Sequence, residues 1–151
     1  MTPRRKLPRE IQLLVRQRAG HLCEYCHTAE LWQYVQFTID HVTPIYRGGE
    51  DNPDNLTLAC FHCNRRKSDK LTAADPETGD EVALFDPRRD RWRDHFIWSA
   101  DVLTIIGLTP VGRATVVLLA LNRDRAKCIR EADRGTGRHP PSGDPVRTVE
   151  E

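Results

Sequence analysis

Two Cys-x-x-Cys pairs, Cys23/Cys26 and Cys60/Cys63, stand 33 residues apart in this chain. Zinc takes four ligands in a tetrahedron, and each such turn offers two thiolates from one side. Two turns close the shell and leave no open position, so the implied zinc site is structural rather than catalytic. No other feature constrains the fold as much, because two distant segments must meet at one point. Cys128 is left over and reads as a small buried apolar residue on a late helix. His21, His27 and His62 flank the pairs, but four cysteines make a histidine ligand unnecessary.

Length and composition explain why a staple is useful. The chain has 151 residues, 38% hydrophobic and 30% charged. That describes one compact domain with a thin core, the situation in which a metal adds most. The basic opening Met1-Thr-Pro-Arg-Arg-Lys6 is not followed by an apolar stretch, and the longest apolar run, Val116–Leu121, is too short to span a bilayer. These features suggest a cytoplasmic protein with no membrane partner. There thiols stay reduced, and paired cysteines signal metal rather than disulfides.

The net charge of +1 does not announce a nucleic-acid binder, but its distribution is uneven. Residues 1–70 hold 11 Lys and Arg against 8 Asp and Glu, whereas residues 71–100 hold 4 against 7. The surplus gathers at Arg4, Arg5 and Lys6 and at Arg65, Arg66, Lys67 and Lys70. Local clusters of this kind can bind phosphates even on a neutral protein.

Patterning divides the chain into a basic tail (1–7), a domain over 8–72, an extension over 73–133 and a disordered tail over 134–151. A first helix is predicted from Pro8 to Ala19, with Ile11, Leu14 and Val15 on one face and Gly20 as its stop. Val35–Asp40 alternates apolar and polar residues and predicts a strand. Gly48-Gly49 and Asp51–Asn55 mark turns, and the segment 55–60 is ambiguous. A helix is predicted from near Cys63 through Asp69, then a polar loop over Leu71–Asp80 and a short strand over Glu81–Phe85. Asp94–Ser99 and Val102–Ile106 suggest a hairpin. Thr109-Pro110 is a strong helix start, and Asn122 a candidate cap for a last helix ending near Asp133. The final stretch is rich in Pro and Gly and poor in apolar residues.

Interleaved with the knuckles is a second pattern. Asp40-His41-Val-Thr-Pro44 precedes Gly48-Gly49, then Asn55-Leu56, then Cys60-x-x-Cys63-Asn64-x-x-Lys67. In order and spacing, residues 8–70 resemble the zinc-containing branch of the HNH endonucleases. Phe85-x-Pro87, Trp92, His95-Phe96, Trp98 and Gly112–Thr115 resemble a tail found on some bacterial members. The resemblance implies an α+β fold: a ββα-metal core with a four-Cys zinc site, followed by a C-terminal β-hairpin and helices.

It also implies a chemistry in which each residue has a task. Phosphodiester hydrolysis needs an activated water and charge neutralisation at phosphate. A neutral imidazole suits proton abstraction near pH 7, and the motif's first His is the family's general base, here His41. A hard dication, Mg²⁺ or Mn²⁺, takes oxygen ligands, for which Asp40 offers a carboxylate and Asn64 an amide oxygen. Asn55 matches the middle residue of the motif, which holds the loop carrying the base. Many members have His where this chain has Asn64, which favours Mg²⁺ or Mn²⁺ over softer ions. DNA is the implied partner, with Arg65, Arg66, Lys67 and Lys70 following Asn64 as phosphate contacts. Two other functions compete with cleavage. One is a non-catalytic zinc module that binds nucleic acid. The other is a protein-interaction domain presenting Trp92, Phe96 and Trp98. The sequence leaves oligomeric state, sequence specificity and biological programme open.

Overall fold

The computed structural model describes residues 6–149, so Arg4 and Arg5 lie outside the described residues. Helix α1 (Arg9–Arg18) follows Pro8, whose extended backbone forms its N-cap. Gly20 ends the turn beyond it at φ 62°, a left-handed conformation that glycine takes without strain. Val15 points into the core, while Leu14, expected beside it, is largely exposed.

Strand β1 (Thr38–His41) pairs antiparallel with β2 (Leu56–Ala59), Thr38 opposite Ala59 and His41 opposite Leu56. The expected strand at 35–40 thus begins three residues later. A strand runs only as far as its partner, and the partner ends at Ala59, where Cys60 turns the chain into a helix. That helix, α2 (Phe61–Lys67), packs against both strands and starts two residues earlier than expected. Cys60 is its N-cap, with Sγ accepting from the Cys63 amide at 3.4 Å.

The extension builds two further hairpins and three helices. β3 (Thr72–Ala74) pairs with β4 (Glu81–Ala83), so the start of the expected polar loop is strand. Asp75 closes this hairpin: its backbone amide donates to the Asp80 carbonyl, and its carboxylate accepts from the Glu77 amide and the Thr78 hydroxyl. After the short helix α3 (Trp92–His95), β5 (Phe96–Trp98) and β6 (Ile105–Gly107) form the anticipated second hairpin in shortened form. Helix α4 (Pro110–Leu118) starts as its sequence dictates, with Thr109 accepting from the Gly112 amide.

The last helix, α5 (Asp124–Gly135), departs from expectation in two ways. Asn122 does not cap it, because its amide is already used, accepting from the Ile105 amide at 2.7 Å and donating to the Ile105 carbonyl at 2.8 Å. Cys128 is exposed rather than buried, since the inward positions of this helix are Ala126 and Arg130.

Between α5 and residue 149, where the composition suggests disorder, the chain makes specific contacts. Trp98 exchanges backbone hydrogen bonds with Pro145 and Arg147, His139 stands edge-on to the Trp98 ring, and Asp144 accepts from both Trp98 Nε1 and the His27 ring. The docked tail satisfies polar groups that low apolar content alone does not reveal.

One core joins the two halves. Tyr25, Leu56 and Leu58 belong to the same buried cluster as Phe85, Phe96 and Trp98. Trp92 stacks on His27 at 4.1 Å between ring centroids and donates to the Tyr25 carbonyl at 2.9 Å. The three tryptophan-hairpin aromatics proposed as a contact surface, Trp92, Phe96 and Trp98, are therefore interior residues. Among the described residues no helix is long and apolar enough to cross a membrane. The fold class is mixed helix and small sheet, α+β, as anticipated.

Candidate active site and metal cluster

The four thiols meet. Cys23, Cys26, Cys60 and Cys63 are all buried, and their Sγ atoms lie within 4.8 Å of one another. Local structure explains how. His27 adopts φ 59°, which folds the first knuckle so that its amide donates to the Cys23 carbonyl at 2.8 Å, and Leu22 bridges to Ala29 behind it. The second knuckle is the first turn of α2. Glu24 ties the two together, accepting from the Thr57 hydroxyl and the Leu58 amide on β2 and from Arg88 of the extension.

The electrostatics of the cluster suit a dication. Burial pushes the Cys23 thiol well up, whereas hydrogen bonds from Cys23, Cys60 and Cys63 hold Cys26 well down. A dry group of thiols on its own favours one thiolate among protonated neighbours, and a bound cation is what allows further thiolates. Four sulfurs at this spacing, with no open side, are compatible with a zinc site.

A cleft of roughly 770 Å³ has walls that include Asp40, His41, Asp51, Asn64, Arg65 and Asp69. β1 delivers Asp40 and His41 and α2 delivers Asn64, so Cys60 and Cys63 set the helix that carries Asn64 against the strand that carries Asp40. His41, Asp40 and Asn64 thus line one cleft.

Asn55 stands behind the cleft. Its Oδ1 accepts from the Thr43 amide, and its Nδ2 donates to the Thr43 and Glu50 carbonyls, all at 2.9 Å. The Asn55 carbonyl also accepts from the Val42 amide. One side chain thereby closes the loop from 42 to 55. Gly49 completes the closure, because a Cβ there would run into the Thr43 carbonyl.

The closed loop brings up a residue that the sequence did not single out. His41 Nε2 lies 2.8 Å from Asp51 Oδ1. A carboxylate only accepts, so Nε2 carries the hydrogen, and in the neutral imidazole Nδ1 then keeps the lone pair. Asp51 sits in a segment rich in turn-forming residues, and nothing in its spacing distinguishes it from a turn residue.

Asp40 is half-buried on the cleft wall, and its enclosed Oδ2 has no hydrogen-bond partner. Burial raises its carboxyl above the usual range, against the pull of Lys67, whose Nζ lies 3.6 Å away. Lys67 was expected to grip phosphate. Instead it is 1% exposed and donates to the Val42 carbonyl at 3.0 Å, so it cannot reach a ligand. The rest of the predicted basic row also divides. Arg65 lines the cleft, Arg66 donates to the Leu118 carbonyl of α4, and Lys70 lines a separate hollow beside Leu84. A helix sends residues three and four apart to one side, so consecutive residues of one basic run point to different neighbours.

Compared with known protein families, residues 23–70 match the family described as HNH endonuclease. Neither curated proteins nor solved structures give a match. The matched segment spans both knuckles, β1, the closed loop, β2 and α2, which together hold the thiol cluster and most of the cleft. The stretch from Cys23 to Lys70 is thus similar to HNH endonuclease domains, which suggests nuclease or other nucleic-acid-related work.

Proposed function

We propose that the chain hydrolyses phosphodiester bonds in DNA, with His41 as the general base. The supporting observation is the convergence of His41, Asp40 and Asn64 on one cleft, with His41 Nε2 held by Asp51. The Asp51 contact leaves His41 Nδ1 free to take a proton from water as the water oxygen attacks phosphorus. The P–O bond to the leaving group then breaks, and solvent returns a proton to the departing oxygen. Asn55 keeps the His41 loop closed, and Arg65, in the lining of the same cleft, faces the anionic phosphate.

The unpartnered Oδ2 of Asp40, beside an amide on Asn64, fits a hard dication such as Mg²⁺ or Mn²⁺ held by these two residues. When bound, that ion supplies charge neutralisation at the phosphate. Lys67 keeps the Asp40 carboxylate in place from behind. The thiol cluster holds zinc and contributes by positioning α2 alone.

Nicking of supercoiled plasmid with Mg²⁺ or Mn²⁺ tests the reading. His41→Ala should lower the rate about 10²–10⁴-fold while leaving zinc content and melting temperature near those of the parent. Equal nicking by parent and variant would overturn the assignment of His41. Absence of nicking under any dication, with DNA still bound, would leave a zinc module that only binds nucleic acid.

A further inference from the structure

Two smaller grooves are linked to the cleft in series through shared lining residues, and their linings differ from it in charge. His41 is shared between the cleft and a groove of about 380 Å³ lined by Lys6, Gln12 and Phe37. Phe37 is shared in turn with a groove of about 490 Å³ lined by Tyr34, Phe61, Arg123 and Arg125. The three hollows thus form one path. The cleft carries three carboxylates, Asp40, Asp51 and Asp69, whereas no carboxylate lines either groove.

The far groove combines cations with uncovered rings. Tyr34 is fully exposed and Phe61 is 65% exposed. Among the described residues Lys6, Arg123 and Arg125 form no ion pair, and Arg123 Nη1 is enclosed without a hydrogen-bond partner. Phe61 and Arg65 stand four apart on α2 and so share a face, which links the exposed ring to the arginine in the cleft.

We propose that this path holds a single strand of DNA running out of the cleft, its bases stacked on Phe61 and Tyr34 and its phosphates against Lys6, Arg123 and Arg125. The inference rests on the cleft being the cleavage site. The cations and the missing carboxylates fit a polyanion rather than a neutral protein surface. The exposed rings select a single strand, because a duplex hides the base faces that an aromatic side chain can stack on. A structure-bearing role for the rings would require burial, which neither has.

The test uses the full chain with its zinc, carrying His41→Ala so that bound DNA stays intact. Fluorescence anisotropy with a labelled oligothymidylate and with a duplex of equal length should show tighter binding of the single strand. Adding Tyr34→Ala and Phe61→Ala together should weaken single-strand binding about tenfold or more, the loss of one or two base stacks, with little change for duplex. Arg125→Ala should reduce the slope of log affinity against log salt by about one. Unchanged single-strand affinity in the double variant, or equal losses for both DNAs, would overturn the proposal. Plasmid nicking by the same ring variants with His41 intact separates the two readings. Normal nicking with unchanged single-strand binding removes the path and keeps the cleft. Ring-dependent binding with no nicking by any form, parent included, keeps a DNA-binding path and removes the cleft as a cutting site, which overturns the proposal as stated.

Discussion

The HNH segment and the extension each bury a carboxylate beside a cation, and they treat it in opposite ways. Asp75 in the extension is saturated: Arg113 donates to both oxygens, at 3.0 and 2.9 Å, and Thr78 and the Glu77 amide add two more bonds. Its carboxyl is held far below the ordinary range, chiefly by Arg113. Asp40 in the HNH segment has its cation at 3.6 Å, an oxygen with no donor, and a carboxyl raised by burial. Asp75 has its bonds completed and Asp40 does not. An incomplete carboxylate on a cleft wall is what the proposed dication site requires.

The interiors differ in the same sense. The extension is filled by rings, with Phe85, Trp92, Phe96 and Trp98 separated by 5.2–5.8 Å between neighbouring centroids. The HNH segment instead places four thiols among Tyr25, Phe37, Leu56 and Leu58 in the buried cluster, at a spacing compatible with zinc. Cys60→Ser is the harshest way to probe that contrast. Structural zinc contributes about 10–16 kcal/mol of apparent binding energy in finger peptides, and that energy is folding energy. The variant should lose its zinc, read by metal analysis, and its cooperative unfolding. The aromatic half should fall with it, because Trp92 is anchored to Tyr25 and His27. Retention of native tryptophan fluorescence in Cys60→Ser would show instead that the extension stands alone.

Lys67→Met asks how much Asp40 depends on its single cation. It removes the buried charge and the bond to the Val42 carbonyl and leaves Asp40 enclosed. Loss of one member of a buried pair costs about 3–5 kcal/mol, which urea unfolding measures directly. A loss near zero would mean that Asp40 is well solvated through the cleft and that the contrast with Asp75 is one of exposure alone.

The parts of this protein readable in its sequence are those where one residue type has one physical use. Four cysteines in two identical spacings gave the cluster, and Thr109-Pro110 gave the start of α4. His41, Asp40, Asn55 and Asn64 could be singled out as candidates because they occur in an order that chemistry and resemblance both explain. What escaped depends on contacts distant in the chain. Lys67 looks like its basic neighbours until β1 covers it. Asp51 looks like a turn residue until Asn55 folds the loop onto His41. The last segment is polar and rich in proline, yet Trp98 Nε1 and His27 supply partners for Asp144 that no local pattern announces. Asn122 reads as a cap, and Ile105 claims it first.

The gentlest probe of the comparison is Arg113→Met. Asp75 keeps the Thr78 hydroxyl and the Glu77 amide, and Arg113 is itself partly open to solvent, so the melting temperature at pH 7 should fall by only a few degrees. The pH dependence carries the information. Asp75 has a folded-state pKa below its unfolded value of about 3.9, so its contribution is complete at pH values above that unfolded value and is lost as acid protonates the folded form. The gap in melting temperature between parent and Arg113→Met should therefore be widest near neutral pH and should narrow below about pH 4. Zinc loss in acid affects both proteins alike and cancels in the difference. A gap that stayed constant down to pH 3 would mean that Arg113 acts through packing against the β3–β4 hairpin rather than through the carboxylate. Asp75 would then no longer serve as the saturated standard against which Asp40 is judged.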